Sequence, residues 1–174
     1  MNAREYFNNL SKLSDRLNYG SIELVSKVIK NCKGTIYVIG DGGSASTASH
    51  FAVDFLKGLG KKVFSLCDNS SILTAISNDD NFIHCYSGQL DTLWEEDDLL
   101  LVISVSGNSL NLVDGVGLVK LRSGKVIGLL GKRGTGIIAN YCDIVISVDS
   151  DSYELCEDLH LAICHCIKEI LANE

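Results

Sequence analysis

His50 and Asp54 stand four residues apart in GSASTASHFAVDF. On a helix that spacing puts both side chains on one face about one turn, or ~6 Å, apart. A histidine and a carboxylate so placed can hold one metal ion or act as an acid–base pair; a plain surface hydrogen bond is the other reading. Glu157, Asp158, His160 and His165 interrupt the apolar stretch CEDLHLAICHCIKEIL, and polar groups in such a stripe need partners. Glu157 and His160 are three apart and can meet. Glu157 and His165 are eight apart, a helical rise of ~12 Å. One metal site would take both only at full stretch or from two subunits. His84, in NFIHCYS, reads as a satisfied structural histidine.

Two loops have the chemistry of an anion site. Gly40-Asp41-Gly42-Gly43-Ser44 follows a β-branched run and opens a helix. Glycines admit close approach of a ligand to the backbone, and the free N–H groups of a first helical turn favour an anion. The loop lacks the third glycine of GxGxxG and the lysine of a Walker A loop, so a merely tight turn is an equal reading. Ser104-Val105-Ser106-Gly107-Asn108-Ser109 joins LLLVI to a helix, offering three hydroxyls and an amide at a helix N-terminus. The plainer reading makes Ser109 a helix N-cap and the other serines turn formers. Asn78-Asp79-Asp80-Asn81 could meet sugar hydroxyls or be a solvated acidic turn.

The elements that must carry these residues follow from the hydrophobic period. Residues 3–18 and 21–32 show helical spacing, with Gly20 between the two helices. Five short apolar runs follow: 35–39, 63–66, 99–103, 126–130 and 143–148. Each of the first four leads through a polar loop into a helical segment: from Ser44, over Ile72–Ile76, from Ser109 to Leu121, and a short segment beyond Gly131–Gly134. A helix from Tyr153 to Leu171 closes the chain. Apolar runs separated by helices predict a parallel sheet buried on both faces. The expected fold is α/β: a three-layer α/β/α sandwich with a five-stranded parallel sheet, doubly wound and flavodoxin-like. Ligands of such sheets bind beyond the carboxyl ends of the strands, where both polar loops lie.

Composition narrows the function classes. The chain has 174 residues, 46% of them hydrophobic, enough for one domain with a full core. Its formal charge of -7 gives no basic footprint for nucleic acid or an anionic membrane. No apolar run reaches the length of a membrane span, and the polar start MNAREYFNNL has no signal core. Seven cysteines without a CxxC pair read as free thiols in a reducing compartment. The expectation is a cytoplasmic protein.

The segments GDGGSASTASHFAVDF, ISVSGNSLNLVDGV and CEDLHLAICH together resemble the sugar isomerase (SIS) family, and within it the phosphoheptose isomerase branch. The likeness runs over effectively the whole chain and implies a single SIS domain over 1–174, with the helices of 1–33 used in oligomer packing. It implies that Ser44, Ser104, Ser106 and Ser109 bind a sugar phosphate. It also implies that His50, Asp54, Glu157 and His165 hold Zn(2+), with Asp54 and His165 as the proton-transfer pair. Asn78 and Asp79 join the substrate set as partners for sugar hydroxyls. The implied reaction is a ketose–aldose isomerisation, most closely sedoheptulose 7-phosphate to D-glycero-D-manno-heptose 7-phosphate for surface-polysaccharide precursors. The implied assembly is a homotetramer with sites at subunit boundaries. A non-catalytic SIS module that binds a sugar phosphate or a protein partner is the competing class.

Three residues depart from the branch pattern. Asp54 replaces Glu, Glu157 replaces Gln, and Asp41 replaces Asn. The last two bring negative charge toward an anionic substrate, which weakens phosphate binding unless it is neutralised. Lys57, in a segment 57–62 that also departs from the pattern, is the candidate neutralising group.

Overall fold

The computed structural model describes residues 1–131 and 136–173. Two helices lead the chain, α1 (Ala3–Ser14) and α2 (Tyr19–Asn31). A capping box between Asn2 and Glu5 starts α1. Asn18 starts α2 by accepting a hydrogen bond from the Ser21 amide. That cap draws Gly20 into the first turn of α2, so it does not separate the helices as the spacing suggests. The alternating units follow: β1 (Ile36–Gly40), α3 (Gly43–Leu59), β2 (Val63–Ser65), α4 (Ser70–Asp79), α5 (Ser87–Leu93), β3 (Leu99–Ser104), α6 (Leu110–Leu121), β4 (Lys125–Gly131), β5 (Ile144–Val148) and α7 (Tyr153–Ala172). Of the expected loop Gly131–Gly134, residues 132–134 lie outside the described residues; a 3₁₀ turn, Ile137–Tyr141, follows.

The strands form one parallel sheet in the order β2-β1-β3-β4-β5. Alternate residues feed opposite cores. Ile36 and Val38 of β1, with Leu99, Leu101 and Ile103 of β3, pack under α2, α3 and α7. Tyr37 and Ile39, with Leu100 and Val102, pack against α5 and α6. The strand period of two thus builds both outer layers from single continuous apolar runs, giving the expected α/β/α sandwich.

α5 and a 3₁₀ turn at Phe82–His84 fill a stretch where no element is expected from the sequence. α5 is only seven residues long and contains Gly88, too little for a helical period to register. All seven cysteines are free; Cys85, Cys156 and Cys164 are buried and Cys166 is exposed. No helix among the described residues is long and apolar enough to cross a membrane.

Chain direction reverses across the sheet between β1 and β3, so the loops leaving these two strands flank the topological switch point. Open α/β sheets bind ligands at that crevice, and Asp41, Ser44, Ser104, Ser106 and Ser109 all line one cavity there.

Candidate active site

α3 and α7 pack side by side over the sheet. Phe51 and Phe55 of α3, fully buried and stacked with ring centroids 3.9 Å apart, anchor one helix. Ile163, Cys164 and Ile167 anchor the other. The helical period then places His50 and Asp54 of α3 and His165 of α7 along the rim of the seam. His50 Nε2 lies 3.2 Å from His165 Nε2, and each lies 3.5 Å from Asp54 Oδ2. A tetrahedral ion with bonds of ~2.05 Å has ligand–ligand edges of about 3.3 Å. The three donor atoms therefore fit one face of a zinc site, and nitrogen with carboxylate oxygen is a donor set that zinc accepts. All three come from one chain. Lys168, one turn from His165 on α7, is a neighbour that the sequence reading missed. Its ammonium pairs with Glu169 at 2.6 Å, and its pKa is raised first by Glu169 and more weakly by Asp54.

The serine loop forms the second half of the site. It lines a cavity of about 100 Å³ with Asp41, Ser44, Tyr153 and Glu157. Ser104 Oγ accepts from the Gly107 amide at 3.0 Å and Ser106 Oγ from the Asn108 amide at 3.3 Å. Because the oxygens accept from the loop, the hydroxyl protons are left to donate to a ligand. Ser109 is the N-cap of α6 yet makes no side-chain capping bond, which leaves its hydroxyl and the first-turn amides of α6 to an anion. Asn108, counted in the sequence among the anion-binding groups, is a brace. Its side chain accepts from the Ile137 amide at 3.0 Å and donates to the Ser106 carbonyl at 3.0 Å.

The glycine loop has a different neighbour. Gly42, at φ 57°, starts α3 without a side-chain cap. A Cβ at Gly43 would collide with the carboxylate of Glu157. An acidic group at a helix N-terminus is favoured by the helix dipole, so Glu157 holds the place at α3 that an anionic ligand would otherwise take. Burial raises its pKa, with smaller contributions from Glu154 and Asp158. In this chain, then, Glu157 belongs to the cradle and stands apart from the His50–Asp54–His165 group.

The other expected residues are placed as follows. His160 does not meet Glu157: it is buried in the core, with neither ring nitrogen hydrogen-bonded among the described residues. Burial pushes its pKa down to about 4, against a smaller upward pull from the Leu130 backbone. His84 Nδ1 pairs with Asp114 Oδ2 at 3.0 Å, and that hydrogen bond raises its pKa. Asn78 and Asp79 bond to one another at the exposed end of α4 and do not line the cradle. Lys57 is exposed on α3 and does not line it either. Cradle and triad are also separate groups within the chain. From Ser44 to His50 is about 9 Å along α3 and roughly a third of a turn around it; Glu157 and His165 are ~12 Å apart along α7.

Known proteins share this sequence pattern and fold. Residues 5–131 match the family described as the SIS domain. The chain is 33% identical over 162 residues to a phosphoheptose isomerase of Thiobacillus denitrificans, covering 89% of this chain and 81% of the relative. It is 36% identical over 158 residues to one from Campylobacter concisus, covering 85% and 82%. The solved structure of a Francisella tularensis phosphoheptose isomerase superposes with a TM-score of 0.91 at 28% identity, over 100% of both chains. The Neisseria gonorrhoeae enzyme superposes with a TM-score of 0.88 at 29% identity, over 97% of this chain and 94% of that one. The chain belongs to the SIS domain family and, within it, stands with the phosphoheptose isomerases.

Proposed function

We propose that the protein is a metal-dependent ketose–aldose isomerase that converts sedoheptulose 7-phosphate to D-glycero-D-manno-heptose 7-phosphate. The observation that carries this reading is the closure of His50, Asp54 and His165 onto one point from distant parts of the sequence. The relatives' name supports the substrate class, a heptose phosphate. The triad is the zinc site of this reading, and the ion supplies Lewis-acid stabilisation of negative charge that develops on the substrate oxygens.

The residues divide the work. Ser104, Ser106 and Ser109 hold the phosphate at the start of α6, and Ser44 closes the cradle floor. Asp54 turns Oδ2 to both histidines, which leaves Oδ1 to take the proton alpha to the carbonyl and return it to the neighbouring carbon, while the hydroxyl proton on the first carbon passes to the former carbonyl oxygen. His165, expected as the other member of the proton-transfer pair, serves here as a metal ligand. A nitrogen that binds an ion has no lone pair for a proton, so in the loaded site His165 orients Asp54 and the carboxylate moves the proton.

The separation of cradle and triad within one chain supports a site shared between protomers. The triad of one chain would meet the cradle of another, with Glu157 of the second chain completing the metal ligands. A homotetramer, packing through the helices of 1–33 and working in the cytoplasm, belongs to this reading.

The test is turnover of sedoheptulose 7-phosphate by purified protein, with metal content measured alongside. About one zinc per chain is expected. Chelator and His165→Ala should each lower turnover by about a hundredfold or more. Turnover indifferent to both treatments would overturn the metal site. Tight sugar-phosphate binding with neither zinc nor turnover would favour the non-catalytic module.

A further inference from the structure

Asp41 is an unexpected wall for a phosphate cradle, and what lies beneath it gives the reason for its place. Asn111, in the first turn of α6, is 3% exposed. A buried amide must find partners. Its Nδ2 donates to Asp41 Oδ1 at 2.8 Å and lies 3.6 Å from Cys85 Sγ. Tyr86, also buried, donates to the Gly40 carbonyl at 2.5 Å, with its oxygen 3.4 Å from the same Asp41 Oδ1. Burial, followed by Cys67 nearby, pushes the Tyr86 pKa up, so the phenol stays a donor. Asp41 is thus held from below through Oδ1 while it lines the cradle, and Oδ2 is the oxygen left for a ligand.

We infer that Asn111 is a positioning residue that fixes Asp41 as a hydrogen-bond acceptor, dividing the cradle into a donor half for an anion and an acceptor half for a sugar hydroxyl. The donor half is the serine loop with the α6 N-terminus. The acceptor half is Asp41 with Glu157. The dianion of a phosphate monoester has no proton to give a carboxylate and is repelled by it, whereas a hydroxyl donates to it well. The ligand class that satisfies both halves is a phosphate ester of a polyol, with a hydroxyl-bearing carbon close to the ester and turned toward Asp41. The inference rests on the functional reading above and adds a positioning residue to its substrate site.

The experiment is titration calorimetry on the full-length, zinc-loaded protein with two probes, inorganic phosphate and sedoheptulose 7-phosphate. Asn111→Leu frees Asp41. Asn111→Asp sets a second carboxylate against Asp41 and turns the hydrogen bond into a repulsion. The exchanged pair Asp41→Asn with Asn111→Asp reverses the bond: the amide at position 41 donates to the carboxylate at 111, and an acceptor faces the cradle again. Each single variant should weaken the sugar phosphate about tenfold or more, and inorganic phosphate severalfold less. The exchanged pair should recover most of the loss. Because it keeps the hydrogen bond, it carries the test if Asn111→Leu does not fold. Equal weakening of both probes, unchanged sugar-phosphate affinity in the single variants, or no recovery in the exchanged pair would overturn the positioning role alone. Wild-type protein that binds neither probe would overturn the cradle itself.

Discussion

His50 Nε2 and His165 Nε2, 3.2 Å apart, are two lone-pair atoms that repel unless one carries a proton or both share a cation. A hydrogen bond between the rings and a shared cation both satisfy that constraint, and the proposed metal site is the second case. His160 presents the opposite case, an imidazole used as core. Its pKa of about 4 lies below the unfolded value near 6.5, so between these values the unfolded chain binds a proton that the folded chain does not. Stability should therefore fall as pH drops from about 6.5 to 4, by on the order of 3 kcal/mol in full. His160→Met should flatten that part of the pH–stability curve in urea unfolding. An unchanged slope would assign the acid sensitivity to other groups. The four-residue spacing of His50 and Asp54 made their shared face legible in the sequence. The place of Glu157 was not legible: its neighbour is Gly43, 114 positions earlier, and local spacing carries no information about such a contact.

The helix that begins at Gly43 depends on that contact. α3 has no side-chain cap of its own, and the Glu157 carboxylate lies against its first turn. Gly43→Ala should cost about 1–3 kcal/mol through overpacking, measured by urea unfolding. Adding Glu157→Ala should give back part of that cost by removing the colliding group; strict additivity of the two changes would show that they do not touch. Strands and long helices were legible because each face of the sheet needs alternate apolar residues and each packed helix needs a stripe. α5 and the start of α2 were not. The first is too short for its period to show, and the second is set by one Asn18 side chain. The serine loop was recognised from its composition. The roles inside it were settled only by geometry, which made Asn108 a brace and Ser104 and Ser106 donors.

For the whole molecule, the strand order β2-β1-β3-β4-β5 brings the glycine and serine loops to one crevice, and the pairing of α3 with α7 closes the triad some distance away. Within one chain these halves are separated along α3 and α7. The proposed symmetric oligomer would bring the triad of one copy to the cradle of another without any change in either. Mixing two defective chains measures this directly. His165→Ala removes the triad, and Ser104→Ala with Ser106→Ala removes the cradle. Each protein alone should fail to isomerise sedoheptulose 7-phosphate. Co-expressed in equal amounts, they should recover about a quarter of wild-type turnover, since half the triads and half the cradles are intact and pair at random. No recovery from the mixture, beside an active wild type, would contradict a shared site, and a wild type that converts no sugar phosphate would contradict the isomerase.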